Sequence, residues 1–318
     1  MSLLVLKTGL LDTVQDLGRH GYAHLGINGA GAADPVALQV ANMVVGNEPG
    51  AAGLEMHFPA PVLRFEENTV FALGGADFGA RLNGLEIPLW TPVRAAAGSQ
   101  LSFAKQLNGM RCYLAVQGGF QIAPWLGSCS TSLVAGAGGW QGRGLRTGDR
   151  LPFATATGDT PYNNEILPWR VNVQGLYPKT KAIRFLPGPE YELLGTDARH
   201  VLETAEWKVN YQSNRMACAL EGPLLSLKEP FELVSSAVQP GTVQLLPSGQ
   251  LLALLADCQT TGGYPRIAQI FQADLPGLAQ LRPGASFQLL SSSLETAVDA
   301  AWQQRQSLRQ IRRAVQLK

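Results

Sequence analysis

Charge is scarce in this chain of 318 residues: Asp, Glu, Lys and Arg together make up 15%. Neither sign dominates, with 25 basic against 24 acidic residues, so no field draws the protein to nucleic acid or to an anionic membrane. Long apolar runs are also missing; no stretch of about 18 residues is apolar throughout, which speaks against a membrane-spanning helix. The opening Met1–Lys7 is too short for the apolar region of a signal peptide and lacks a basic flank, so a cytoplasmic location is expected. Cysteine is rare, at positions 112, 129, 218 and 258, and no pair has C-x-x-C spacing. No zinc site is expected, and the thiols should be reduced. The chain has no G-x-S-x-G nucleophile elbow and no Walker A segment ending in Gly-Lys-Ser/Thr. His57 and His200 have no evident sequence partners for a Ser-His-Asp or Cys-His arrangement. Asp16, His20 and His24 recur at i, i+4 and i+8, but Gly18 and Gly21 break the helix that a metal site with this spacing needs.

Glycine and proline are plentiful, at 35 and 20 residues, and 46% of the chain is hydrophobic. That mixture predicts a mainly β protein, in which many short strands are joined by tight turns. The length is about twice that of a usual domain, which predicts two halves. Expected strands are Val62–Phe65, Val70–Leu73, Ala80–Leu82, Leu85–Leu89, Arg111–Val116, Ala182–Leu186, Thr242–Leu246 and Leu251–Ala256. Asn83-Gly84 marks a hairpin turn, and Gly74–Asp77 reads as a strand-end loop. Asp34 as N-cap, Pro35 at the first helical position and Gly46-Asn47 as a stop predict a helix over 35–45. Ser292-x-x-Glu295 is a capping-box pattern that would open a C-terminal helix reaching about Ala314. The polar stretch Ala154–Asn164 is the candidate linker, dividing the chain into 1–158 and 159–318. A turn glycine feeding alternating apolar residues recurs at Gly98–Phe103, Gly148–Phe153 and Gly284–Leu289, which suggests that the halves close in similar ways. The architecture predicted is a pair of β-barrels with a few peripheral helices.

Two polar segments stand out. Asp257-Cys-Gln-Thr-Thr-Gly-Gly-Tyr-Pro265 follows the apolar strand Leu251–Ala256. Gln259, Thr260 and Thr261 offer amide and hydroxyl groups, the glycine pair permits close approach, and Tyr264-Pro265 stiffens the exit. The alternative is a polar turn that caps its own backbone. The second segment is Thr13–Arg19, followed by the glycine-rich stretch 26–34 and the Asp34-capped helix, whose N-terminus suits a carboxylate or phosphate. Asp16 and Arg19 either form a local ion pair or both face a cleft. Gly136–Gly144 is a further glycine-rich loop, which could wrap an anion with Arg143 or be a mobile or interface loop.

Several of these segments together resemble one family along nearly the whole chain. Thr13–Arg19, Asp34-Pro35, Ala41-Asn42 and Val45–Asn47 are similar to the N-terminal signature of the family of urea carboxylase and the 5-oxoprolinase C subunit, also called allophanate hydrolase subunit 2 or Kip antagonist. Leu126–Thr131, Pro187–Glu190, Ser213–Met216 with Leu220–Gly222, and Gln259–Pro265 carry the rest of the resemblance. It implies two cyclophilin-like β-barrel domains. As a function it implies one component of an ATP-dependent 5-oxoprolinase, completed by a Kip inhibitor-like B subunit and by an A subunit. ATP, with Mg, would enter as co-substrate and phosphorylate the amide oxygen before water attacks. In that reading Asp16 or Asp257 is the acid/base, and Arg19, Arg215 and the Asp34 helix start hold an anionic group. Gln15, Gln244, Gln259 and Thr260 hydrogen-bond a small amide or lactam substrate, with Asn42, Arg143, Thr261 and Tyr264 as further binding candidates. Departures from the family pattern are Ala30 for Ser, Ala33 for Met, Ala217 for Gly, and Cys129, Ala219 and Cys258 for Arg. Loss of three arginines weakens any anion clamp built on them. The resemblance leaves two other functions open: carboxyl transfer from carboxybiotin on a separate carrier, since this chain has no biotin-accepting segment, and a non-enzymatic antagonist of a histidine-kinase inhibitor.

Overall fold

The computed structural model describes residues 2–154, 163–177 and 182–318. Two compact units are present, one of Met1–His20, Ala30–Val173 and Leu308–Lys318, the other of Gly21–Gly29 and Gln174–Ser307. The expected division at 158/159, and most of the expected linker, lie outside the described residues.

In the first unit the strands are β1 (Ser2–Lys7), β2 (Asp12–Gln15), β3 (Gly53–His57), β4 (Val62–Phe65), β5 (Thr69–Asp77) and β6 (Ala80–Leu82). They continue as β7 (Leu85–Glu86), β8 (Val93–Ala95), β9 (Gln100–Phe103), β10 (Asn108–Val116), β11 (Arg150–Pro152) and β12 (Glu165–Ile166). One sheet has the order β11-β1-β4-β9-β6-β7, the other β12-β8-β5-β10-β3-β2. Leu3, Val5, Leu63 and Leu101 from the first sheet and Leu54, Met56, Leu73 and Leu114 from the second enter one buried core, where Phe65 stacks on Phe71 at 4.8 Å. Helix α1 (Pro35–Val44) packs on β5 and β10, so these strands are covered on both faces, which explains their nearly unbroken apolar runs. Residues 74–77 are therefore not a strand-end loop but the last residues of β5. A Cβ on Gly74 would lie 2.5 Å from the Trp90 ring and 2.9 Å from the Ala37 carbonyl oxygen, so this glycine serves close packing rather than a turn.

The second unit contains β13 (Ala182–Pro187), β14 (Trp207–Val209), β15 (Ala217–Glu221), β16 (Ser236–Ala237) and β17 (Thr242–Leu245). Next come β18 (Leu251–Leu254), β19 (Thr261–Gly262), β20 (Arg266–Ile270) and β21 (Ser286–Ser291). Seven of them close a barrel in the order β13-β20-β17-β18-β15-β14-β21, with β13 and β21 parallel, while β16 and β19 form a separate ribbon. Phe185, Trp207, Val243, Leu251, Ile267 and Leu289 fill the barrel. Helices α2 (Thr196–Thr204) and α3 (Leu275–Ala279) flank it, and α4 (Leu294–Gln316) ends the chain.

The mainly β expectation holds, with only four α-helices among the described residues. Helix α1 is capped as expected: the Asp34 carboxylate accepts from the Ala37 N–H at 2.9 Å. Asn83 and Gly84 have φ of 50° and 86°, as a two-residue hairpin turn requires, but the strand after them stops at Glu86 instead of reaching Leu89. The C-terminal helix starts one residue later than the capping-box reading, because Ser293, not Ser292, accepts the Thr296 N–H at 3.2 Å. Gly98, Gly148 and Gly284 all have positive φ, and each donates its N–H to the strand that pairs with the one it feeds, at Phe65 in β4, Val5 in β1 and Val209 in β14. The threefold echo is thus one turn geometry used three times.

Candidate functional site

In the first unit, β2 delivers Gln15 into the interior and Asp16 to the strand end. The Asp16 carboxylate accepts from the Gly18 N–H at 2.8 Å, the Ser128 hydroxyl at 2.6 Å, the Cys129 N–H at 2.6 Å and the Ser130 hydroxyl. Buried Arg19 donates to the Ser130 carbonyl oxygen and lies over the Trp125 ring at 4.7 Å. Asp16 and Arg19 therefore converge on the 128–130 loop. Gln15 is fully buried and donates to Thr13 Oγ1 at 3.0 Å and the Thr131 carbonyl oxygen at 3.4 Å. The 136–144 loop presses on the same place: a Cβ on Gly138 would meet the Ser130 carbonyl oxygen at 2.3 Å. Arg143, at the end of that loop, makes a two-armed pair with Asp149 at 2.7 and 2.9 Å, so its guanidinium is engaged within the chain.

Asp34 and Asn42 sit at opposite ends of α1, both fully buried. Asp34 fills the helix N-terminus with its own carboxylate. Asn42 donates to the Ala51 carbonyl oxygen at 2.7 Å and accepts from Asn47 at 3.0 Å, pinning the turn after the helix. A buried network beside α1 escaped the sequence reading. Tyr113 donates to Glu55 at 2.7 Å and accepts from the Asp34 N–H at 2.8 Å, Glu55 also accepts from the Ala33 N–H at 3.0 Å, and Arg111 stands 3.8 Å from Glu55. Burial, reinforced by Glu55, pushes the Tyr113 phenol well above its ordinary range. The only hint in the sequence is a charged residue inside the short strand Gly53–His57. Asp12, also missed, is buried and accepts from the Gly9 N–H at 2.6 Å; burial raises its pKa to about 7.

In the second unit, Asp257 follows β18 as expected. Its carboxylate receives two arms of Arg215 at 2.8 and 2.9 Å, and both side chains are buried. The backbone completes the clasp, with the Asp257 N–H donating to the Arg215 carbonyl oxygen at 2.9 Å and Asn28 donating to the Asp257 carbonyl oxygen at 2.9 Å. Cys258 is buried beside this pair, and burial together with Asp257 pushes its thiol up to about 12, so it is held as a neutral thiol. Gln244 on β17 is fully buried, accepts from Gln259 at 3.4 Å and donates to the Tyr264 carbonyl oxygen at 3.4 Å. A Cβ on Gly262 would sit 2.5 Å from the Gln244 amide, so this glycine is what lets the segment pass close to β17. Gln259, Thr261 and Tyr264 are exposed and Thr260 is half-buried.

The residues read from the sequence thus differ in burial, with Asp16 and Arg143 half-buried. Gln15, Arg19, Asp34, Asn42, Arg215, Gln244 and Asp257 are buried and bonded to the chain itself. Gln259, Thr260, Thr261 and Tyr264 present amide, hydroxyl and phenol groups outward, a surface suited to a neutral polar ligand such as an amide. Among the described residues no cluster of His, Cys, Asp and Glu could hold a metal.

A family model described as carboxyltransferase domain, subdomain A and B, matches residues 25–290. The chain belongs to this family. Full-length relatives of this carboxyltransferase-domain protein include the 5-oxoprolinase C subunit of Escherichia coli (strain K12), 39% identical over 313 residues, covering 97% of each chain. The Haemophilus influenzae protein of the same name is 37% identical, covering 95% of each chain. Among solved structures, the Kluyveromyces lactis urea carboxylase superposes with a TM-score of 0.89 at 28% identity, over 98% of this chain and 29% of that one. The carboxyltransferase-domain fold is thus shared between free-standing chains and a segment of a much longer enzyme. No helix among the described residues is long and apolar enough to cross a membrane.

Proposed function

We propose that this chain is the C subunit of a cytoplasmic, ATP-dependent 5-oxoprolinase, which opens 5-oxoproline to glutamate with its A and B subunits completing the site. One observation carries this reading: two relatives named as the C subunit of 5-oxoprolinase match at 37–39% identity over 95–97% of both this chain and their own. The exposed donors Gln259, Thr261 and Tyr264, with Thr260, take the lactam, and the buried Arg215–Asp257 pair and Gln244 hold that segment in place. ATP supplies the driving force for opening an unreactive amide. Arg143 and Arg215, two of the candidate anion-binding residues, are already paired with Asp149 and Asp257. In this reading the nucleotide and its Mg lie on a partner protein.

The test is ATP hydrolysis with 5-oxoproline, measured on this chain alone and with the A and B subunits. Turnover in the mixture alone is the expected result. A stable complex without turnover would sink the assignment. A second reading, carboxyl transfer from carboxybiotin to urea or another amide, draws on the superposition with urea carboxylase. Dependence of the reconstituted activity on bicarbonate and a biotin carrier separates it from hydrolysis.

A further inference from the structure

None of the residues of α4 is buried. One face is anchored: Gln304 donates to the carbonyl oxygens of Leu176 at 3.3 Å and Ala273 at 3.1 Å, and Ala297, Ala300 and Ala301 on that side are half-buried. Turning away from that side, Leu294, Val298 and Trp302 at i, i+4 and i+8 form an outer stripe and are 67%, 59% and 60% exposed. A tryptophan on the outer face of a surface helix is a poor choice for solvation and a common anchor of interfaces.

Charge is sorted along the same face. Glu295 and Asp299 precede Trp302, Arg305 and Arg309 follow it, and all four are exposed. None of the four forms an ion pair among the described residues. The helix macrodipole favours that order of charges, but it gives no reason for the apolar stripe between them.

We propose that the outer face of α4 is where two copies of this chain associate, their helices antiparallel about a two-fold axis beside Trp302. A second copy fits better than an unrelated partner because the face is complementary to its own reverse. Turned end for end, the acidic first half of each helix lies over the basic second half of the other, and the apolar stripes meet. Glu295 and Arg309 each stand seven residues, about 10 Å, from Trp302, so each Glu295 lies level with Arg309 of the second copy. The stripe is smaller than the roughly 800 Å² per partner of a stable interface, so the dimer is weak and concentration-dependent.

Sedimentation velocity of the full chain over a range of micromolar concentrations tests this. The wild-type protein should shift from monomer to dimer as concentration rises, and Trp302→Ala should abolish the shift without changing the circular dichroism spectrum. Glu295→Arg breaks two symmetric pairs and should weaken association about tenfold. The swap Glu295→Arg/Arg309→Glu should restore it, which a structural role for either residue alone would not produce. A monomer at every concentration overturns the proposal, as does a dimer indifferent to Trp302→Ala. Association seen only with a different protein overturns it too, by giving the face to another occupant.

Discussion

Asp16 in the first unit and Asp257 in the second both stand just beyond a short strand, and both carry the candidate acid/base role, yet opposite chemistry surrounds them. Asp16 is held by two serine hydroxyls and two backbone N–H groups, all neutral. Asp257 is held by a buried guanidinium. A carboxylate saturated by neutral donors organises a loop and can be replaced at moderate cost. One that neutralises a buried cation cannot be removed without stranding the charge it balanced. Similar sequence settings therefore conceal different degrees of mutational tolerance, and different usefulness as a base.

The largest test of that contrast is Asp257→Ala. It should cost about 3–5 kcal/mol in urea unfolding, while Arg215→Met/Asp257→Leu, which removes both charges, should recover most of the loss. A cost near that of a surface substitution would erase the distinction between the two aspartates. Asp16→Ala comes next, at about 1–3 kcal/mol, since it strands hydroxyls and N–H groups but no charge. Its effect should hardly change with salt.

The units should also differ in their response to pH. The folded pKa of Asp12 is raised to about 7, so the folded state holds a proton that the unfolded chain releases from about pH 4. Its contribution is fully present below pH 4 and is lost as pH rises to about 7; Asp12→Asn should flatten stability across that window. In the second unit Glu190 has the reverse sign. Hydrogen bonding to Arg266 lowers its pKa, so its stabilisation is present above its unfolded value and is lost as pH falls through the folded one. Relative to wild type, Asp12→Asn should gain melting temperature as pH rises from 4 to 8, whereas Glu190→Gln should lose melting temperature as pH rises from 3; parallel curves would refute the assignment. The smallest effect is expected for Arg143→Ala, about 1 kcal/mol or less, because the Arg143–Asp149 pair is partly open to solvent.

The short strands, the hairpin at Asn83-Gly84 and the capped helix α1 were legible because turn chemistry and capping act over a few residues. The three turn glycines were legible for the same reason, since each needs a positive φ that its own position imposes. Gly74 misled, because a glycine kept small for packing looks like a glycine kept flexible for turning. The polar segment 257–265 could be located from the strand before it, but not which of its groups would face solvent.

Local sequence was enough to determine the mainly β character, the turn positions, the start of α1 and the family to which the chain belongs, all from patterns a few residues long. Tertiary structure alone decided the pairing of Arg215 with Asp257 across 42 positions and of Glu55 with Tyr113 across 58. It likewise decided which candidate site residues are buried and which remain exposed. The physical reason is that strand register and barrel closure choose the neighbours of a polar group, and for a group removed from water its neighbours set its charge, its bonds and its use.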